Sequence, residues 1–360
     1  MKYLILTNHS YMLWQFRREL MEELSKTGEV VVSTPFVGHE EDLKKLYRCI
    51  ETRLDRRTAS PIKDLRLYRF YMKLLKTEKP DMVITYSIKP NIYGGYACRR
   101  LGIPCCVNVQ GLGTAFQNRS MAVLAAGMYK AALKNAKVVF FENIANAEEF
   151  EHRGIVDREK ITVLHGAGVN LDYYNYQPYP DEHEGIHFLY LGRIMKEKGI
   201  DELIDAIGNI KKKFGEKVKF DFVGFFEGEY KGIIEKMDQE GLISFHGFQF
   251  DPRPYYANSH CVVIPSYHEG MSNVLLEAAA TGRPVICSDI PGCREAVEDG
   301  ITGFLCKSRD EKSLEKAIEK IMLLSSAERA DMGKKGRAKM KQQFGKYMVV
   351  RNTLKEIQKK

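Results

Sequence analysis

Residues 266–289 read SYHEGMSNVLLEAAATGRPVICSD. An apolar run of strand length, CVVIP from Cys261, precedes them. SYHEGMSN is small and polar, as a turn must be. Ser272 or Asn273 suits a helix N-cap, and Gly282 and Pro284 end the helix before a second apolar run, PVICSD. The unit is therefore strand, turn, helix, strand. A helix that starts at a strand end directs backbone N–H groups and a dipole toward an anion. Two carboxylates lie in the unit, Glu269 in the turn and Glu277 in the helix. The neighbours of Glu277 are Val274, Leu275, Leu276, Ala278, Ala279 and Ala280, so its helix is apolar nearly all round and is expected to be buried. A lone buried carboxylate is costly unless paired. Either Glu277 forms a structural ion pair with an Arg or Lys, or it accepts two hydroxyl hydrogen bonds from a diol such as a ribose.

The same alternation of short apolar runs and helical patterns extends outward in both directions. In the first half the strands are expected at Tyr3–Thr7, Val30–Ser33, Met82–Tyr86, Cys105–Val109, Val138–Phe141 and Ile161–Leu164, with amphipathic segments such as 61–79 and 119–134 between them. The stretch LDYYNYQPYPDEHEG, 171–185, has no period and is rich in Tyr, Pro and acid, which reads as a linker. Beyond it IHFLYLG, VKFDFVG, ISFHG and HCVVIPS read as strands separated by helices, and from about Lys312 the chain is helical and Lys-rich. Near-continuous apolar strands alternating with helices predict parallel sheets covered on both faces. The expected fold class is α/β, with two doubly wound domains: 1–175, joined by the last helix at about 343–360, and 186–342, separated by a linker at 176–185. Ligands of such sheets bind at the C-terminal ends of strands.

Two nucleotide fingerprints are missing. The first strand runs into TNHSYMLWQF, with no Gly-x-Gly-x-x-Gly, and no Gly-x-x-x-x-Gly-Lys-[Ser/Thr] loop occurs. A nicotinamide dehydrogenase and a P-loop phosphotransferase both lose their signature. LYLGRIMKEKGIDELI instead places Arg193 and Lys198 between a strand end and a helix. A guanidinium fork and an ammonium at one strand end suit a diphosphate; the plain alternative is a surface Arg and a helix-start Lys.

The chain has 360 residues, is 44% hydrophobic and carries a formal charge of +8. No apolar run reaches the ~20 residues of a membrane span. MKYLILTNHS reads as a strand and not as a signal peptide. The eight cysteines form no Cys-x-x-Cys pair and no zinc spacing, and fit a reducing cytoplasm. Residues 41–76 hold eleven Lys/Arg against five Asp/Glu, interleaved with Tyr47, Tyr68, Phe70 and Tyr71. That is either a solvated helical face or a surface for an anionic partner. No nucleic-acid-binding motif accompanies it, so nucleic acid is not expected as a partner.

HEGMSNVLLEAAATGRPVICSDIPGCREAVEDGITGFL resembles the retaining family-4-type glycosyltransferases, which have the GT-B fold, through its Glu-x7-Glu element at Glu269 and Glu277. GRIMKEKGIDELI resembles their Arg-x4-Lys element, and VLHGAGVNLDYY the segment before their interdomain linker. TYSIKPNIYGGYACRRLGIPCCVNVQGLGTAF looks like the N-domain of the branch that builds bacterial capsule, exopolysaccharide, O-antigen and related lipid-linked oligosaccharides. The resemblance implies two Rossmann-like domains facing a cleft, with the C-terminal helix crossing back to the N-domain. It implies that Arg193 and Lys198 bind the donor diphosphate, Glu269 the transferred sugar and Glu277 the ribose. Backbone N–H groups of Gly270, Met271, Ser272 and Asn273 would face sugar and phosphate, and Phe248 and Gln249 the base. The implied donor is a UDP-sugar, the acceptor a lipid-diphosphate-linked saccharide, and no metal or other cofactor is implied. The chain would work in the cytoplasm, peripheral to the inner membrane, with the 41–76 region toward the membrane or the acceptor phosphates. Two departures stand out. NHSYMLWQFRREL replaces a glycine-rich loop, leaving His9 and Ser10 as candidates there, and Gln110, followed by Gly111, stands where many members have a His. Within the same fold a nucleotide-sugar 2-epimerase is the alternative, and outside enzymes a non-catalytic sugar-nucleotide-binding component of a polysaccharide complex.

Overall fold

The computed structural model describes residues 1–54, 60–113, 116 and 119–359. The chain divides into two compact units, Met1–Ala167 with Tyr347–Lys360, and Gly168–Lys346.

The first unit is built on seven strands: β1 Lys2–Leu6, β2 Glu29–Thr34, β3 Arg48–Glu51, β4 Met82–Tyr86, β5 Cys105–Val109, β6 Ala136–Phe141 and β7 Ile161–Val163. They pair in parallel in the order 3-2-1-4-5-6-7. All six expected strands form; in β1, β2, β4, β5 and β6 the Val, Ile and Leu side chains are buried on both faces of the sheet, whereas β7 is an edge strand with Ile161 half-buried and Val163 exposed. The one not expected, β3, is an edge strand of four residues, RCIE, exposed at both ends and half-buried at Cys49 and Ile50; it lacks the apolar run that marks a central strand. The C-terminal helix packs in this unit, with Val349, Val350 and Ile357 in the same buried cluster as Tyr3, Ile5 and Leu24.

The second unit has six strands: β8 Ile186–Leu191, β9 Val218–Val223, β10 Ser244–Phe245, β11 Cys261–Ile264, β12 Val285–Ser288 and β13 Gly303–Cys306. They are parallel, in the order 10-9-8-11-12-13. Edge strand β13 was not expected either: GFLC is short and opens on a glycine. Gly303 is required there because a Cβ would lie 2.0 Å from the Val285 carbonyl oxygen.

The stretch 171–185 belongs with this second unit and is pinned to it. Arg283, fully buried, donates to the carbonyls of Gln177 at 3.2 Å, Pro178 at 2.7 Å, Tyr256 at 2.8 Å and Ala257 at 2.9 Å. Arg337 donates to the Leu171 carbonyl at 3.0 Å and the Tyr174 carbonyl at 2.6 Å. Those arginines lie more than a hundred residues downstream, so composition within the stretch carries no trace of them.

Candidate active site

Strand order reverses between β8 and β11 in the second unit, and loops leaving the two strands in opposite directions open a crevice at their C-terminal ends. The segment after β8 carries Arg193 and Lys198; the turn after β11 carries Glu269. Gly199 brings them together. It is left-handed, φ +71°, and a Cβ on it would lie 2.0 Å from the Pro265 carbonyl oxygen. Tyr267 N–H donates to the Glu197 carbonyl at 2.9 Å, lacing the two loops. Lys198 Nζ consequently forms an ion pair with Glu269 Oε1, which also accepts from Ser266 Oγ at 2.8 Å. Arg193 is half exposed on the same loop, and its guanidinium pairs with Glu227 Oε2 at 2.7 Å. Glu227 follows β9, where its own N–H donates to the Ile194 carbonyl at 3.0 Å.

The Glu269 turn is supported from behind. Gly292, at φ +86°, would place a Cβ 2.5 Å from the Gly270 carbonyl oxygen, and its own carbonyl accepts from Ser272 N–H at 2.8 Å. Ser272 N–H is therefore directed at Gly292, and the Met271 side chain is buried. Helix Asn273–Thr281 starts at Ser272 with no side-chain cap, and Leu275 N–H and Leu276 N–H share the Ser272 carbonyl.

Glu277 sits in that helix, 7% exposed. Among the described residues no Arg or Lys forms a salt bridge with its carboxylate. Tyr256 O–H donates to Glu277 Oε2 at 2.8 Å, and Tyr174 provides a second phenol hydrogen bond. Burial raises its pKa from the ordinary 4.5 to about 7, against the opposing pull of the two phenols and of the more distant Lys346 charge.

Phe248 and Gln249 follow β10. Gly224 N–H donates to the Gly247 carbonyl at 2.9 Å, so this loop lies beside the one carrying Glu227. Phe248 is exposed and meets Phe225 edge-on at 6.0 Å between centroids. Gln249 Nε2 donates to the His246 carbonyl at 2.7 Å. Asp221 anchors the loop, bonding His246 Nε2 at 2.8 Å and His187 Nδ1 at 2.9 Å. In the first unit, His9 and Ser10 are engaged in the fold. His9 Nδ1 accepts from Met12 N–H at 3.2 Å, capping helix Ser10–Ser25, and Ser10 Oγ donates to the Gly38 carbonyl at 2.7 Å. Gln110 and Gly111 directly follow β5 and are half-buried.

Four partners escaped the sequence reading: Glu227, Ser266, Tyr256 and Tyr174. Glu227 was findable, since it lies just beyond a strand end as Arg193 does. Tyr256 and Tyr174 were not, because nothing local ties them to Glu277. Of the basic 41–76 region, residues 55–59 lie outside the described residues. Among the described residues no helix is long and apolar enough to cross a membrane, and no group of three or more His, Cys, Asp or Glu is arranged to hold a metal ion.

Residues 15–173 match Glycosyltransferase Family 4, and residues 177–339 match Glycosyl transferases group 1, together nearly the whole chain. The chain belongs to these glycosyltransferase families. Over 337 residues this glycosyltransferase is 26% identical to the N,N'-diacetylbacillosaminyl-diphospho-undecaprenol alpha-1,3-N-acetylgalactosaminyltransferase of Campylobacter jejuni, covering 88% of this chain and 87% of the relative. It is 29% identical to the UDP-Gal:alpha-D-GlcNAc-diphosphoundecaprenol alpha-1,3-galactosyltransferase of Escherichia coli, covering 74% of this chain and 72% of that one. Among solved structures, Anabaena Alr3699/HepE in complex with UDP and glucose superposes with a TM-score of 0.80 at 16% identity over 99% of both chains. Sucrose-phosphate synthase from Thermosynechococcus elongatus gives 0.77 at 21% identity, over 99% of this chain and 98% of its own. The fold is thus of the GT-B type, with two parallel-sheet α/β domains.

Proposed function

We propose that this glycosyltransferase transfers a hexose or N-acetylhexosamine from a UDP-sugar to a hydroxyl of a lipid-diphosphate-linked saccharide, with retention of anomeric configuration, in building a bacterial surface polysaccharide such as capsule or exopolysaccharide. The observation that carries the reading is the convergence of Lys198, Glu269 and Arg193 at the β8/β11 crevice, with Glu277 about one turn deeper. The names of the Campylobacter and Escherichia relatives support a diphosphate-lipid acceptor, and the UDP complex of HepE supports the donor nucleotide.

In the reaction the bond between sugar C1 and the β-phosphate oxygen breaks, and its electron pair leaves with UDP. The acceptor oxygen bonds to C1 on the same face, and its proton passes to a departing phosphate oxygen. Negative charge grows on the phosphate, and Arg193 and Lys198 stabilise it; one preorganised group of this kind contributes about 3–4 kcal/mol. A lysine ammonium has three donors, so Lys198 bonds the phosphate while keeping Glu269 oriented toward the sugar hydroxyls. The two cations supply the charge that a metal supplies elsewhere. Glu277 takes the ribose diol and Phe248 and Gln249 the base. Gln110, lacking a titratable proton, orients the acceptor or sugar by hydrogen bonding alone. With a lipid-anchored acceptor, the enzyme works as a peripheral protein on the cytoplasmic face of the inner membrane.

A nucleotide panel in a thermal-shift assay tests the reading. UDP at about a hundred times its Kd adds roughly 2.7 kcal/mol to stability, whereas NAD adds nothing. If no UDP compound shifts the transition, the reading is wrong. Hydrolysis of a panel of UDP-sugars without acceptor then identifies the donor, and release of an epimerised free sugar would point to the 2-epimerase instead.

A further inference from the structure

Glu277 is held in layers within the second unit. Tyr256 comes from the short helix Arg253–Asn258 and is fully buried; Arg283 Nε donates to its carbonyl at 2.8 Å. Tyr174, also buried, comes from the stretch before β8. Its N–H donates to the Asn170 carbonyl at 2.9 Å, and its own carbonyl accepts from Arg337 at 2.6 Å. Arg337 bonds the Ala280 carbonyl as well, near the end of the helix that carries Glu277. The two tyrosine rings meet edge-on, 6.0 Å between centroids and 77° between planes. Two arginines therefore fix the backbones of both tyrosines, each ring steadies the other, and both hydroxyls reach one carboxylate.

Packing alone would be served by phenylalanine at either position; the hydroxyls serve the carboxylate. The kind of donor matters. A lysine or arginine in direct contact would close the carboxylate into an ion pair. A phenol donates a single hydrogen bond and leaves the negative charge in place. An ionised carboxylate has about four acceptor sites. Two phenols use two of them, and a vicinal diol needs two. Phenol donors also favour the ionised form, against the burial that favours the acid. The charges around this group are otherwise remote or engaged with backbone. Lys346 acts from farther away, and Arg283 and Arg337 bond carbonyls. Strands β11 and β12 also pack on the helix; they read CVVI and VICS, and bring only the thiols of Cys261 and Cys287 as titratable groups. The segment Met340–Phe344 presents buried Met340 and Phe344.

We propose that Tyr256 and Tyr174 are positioning residues of the donor site, whose hydroxyls hold the Glu277 carboxylate in place and ionised so that it accepts both ribose hydroxyls. The inference rests on the reading that Glu277 takes the ribose. It assigns the pH dependence of nucleotide binding to the phenols as much as to the carboxyl itself: a proton and the ribose compete for one group, and the phenols tip that competition toward the ribose.

Titration calorimetry of the full-length protein with UDP between pH 6 and pH 9 tests it, on wild type, Tyr256→Phe, Tyr174→Phe and Glu277→Gln. Losing one hydrogen bond to a charged group changes the ionisation equilibrium about tenfold. The midpoint at which UDP affinity rises should therefore move from about 7 in wild type to about pH 8 in either Phe variant. Each Phe variant should bind UDP about fivefold more weakly than wild type at pH 7 and regain most of the difference by pH 9. Reading each variant against wild type cancels the titration of UDP's own terminal phosphate. A merely structural role would lower affinity by one factor at every pH. That result, or a wild-type midpoint in both Phe variants, would overturn the proposal. Should Tyr256→Phe fail to fold, Tyr174→Phe decides alone. If Glu277→Gln binds UDP as tightly as wild type, the ribose reading falls and the positioning role with it. If Glu277→Gln binds weakly while the Phe variants keep the wild-type midpoint, the positioning role alone is rejected.

Discussion

Replacing Glu277 by Gln should make the protein more resistant to unfolding at alkaline pH and worse at binding UDP. Burial raises the carboxyl pKa from the ordinary 4.5 to about 7. Below about pH 4.5 the group is protonated in both folded and unfolded chains; between there and about 7 the folded chain keeps a proton that the unfolded chain has lost. Its contribution therefore favours the folded state at low pH and is lost as pH rises through about 7. Above that, the folded protein carries a buried anion held by two phenols. At 1.36 kcal/mol per pKa unit the penalty is about 3 kcal/mol. Glu277→Gln removes it. The stability difference between variant and wild type should grow by about 3 kcal/mol from about pH 5 to about pH 8, or some 6–12 °C in melting temperature. Taking the difference cancels the opposing contribution of His260, whose pKa burial lowers to about 4 and which costs stability as pH falls. UDP affinity carries the second readout. If the ribose requires the carboxylate, wild-type affinity should rise about tenfold between about pH 6 and about pH 8, as the competent form becomes populated. The variant should lack that part of the dependence and bind UDP at least about tenfold more weakly, since a hydrogen bond to a charged group contributes about 1.5–3 kcal/mol. Urea or thermal unfolding across pH and UDP titration by calorimetry measure both. A difference in stability independent of pH would refute the buried-anion argument, and unchanged UDP affinity would refute the ribose role.

Three further perturbations follow from the same geometry. Lys198→Ala should lower turnover by about 10²–10³ while shifting the melting temperature little; a large loss of stability instead would make the Lys198–Glu269 pair structural. Gly199→Ala adds a Cβ 2.0 Å from the Pro265 carbonyl oxygen at φ +71°, which should cost about 1–3 kcal/mol and pull Lys198 off Glu269, so wild-type turnover in this variant would contradict the positioning argument. Arg283→Met removes the donor to five carbonyls, and with about 1–3 kcal/mol for each buried group left unsatisfied a loss of several kcal/mol is expected, with faster chymotrypsin cleavage among Tyr173, Tyr174, Tyr176 and Tyr179; unaltered proteolysis would mean that the stretch is held by other contacts.

What the sequence by itself determined are properties carried by neighbouring residues. Apolar runs of strand length alternating with helical periods sufficed for two parallel α/β layers. Strand-end position sufficed to single out Arg193, Lys198 and Glu269, and an apolar surround sufficed to mark Glu277 as buried. Edge strands β3 and β13 escaped because RCIE lacks an apolar run and GFLC is only four residues long and opens on a glycine. What only the tertiary structure decided is partnership. Lys198 and Glu269 lie 71 residues apart, and they meet because parallel crossovers deliver both loops to one reversal of strand order, where Gly199 lets the backbones touch. Glu277 has phenols as hydrogen-bond partners, which the sequence, offering an ion pair or a ligand diol, did not show, because Tyr256 and Tyr174 arrive from separate segments. The 171–185 stretch looked unattached for the same reason: its anchors, Arg283 and Arg337, are distant in the chain. Local pattern sets which groups are buried or offered at a strand end; close packing of remote segments sets what each of them meets.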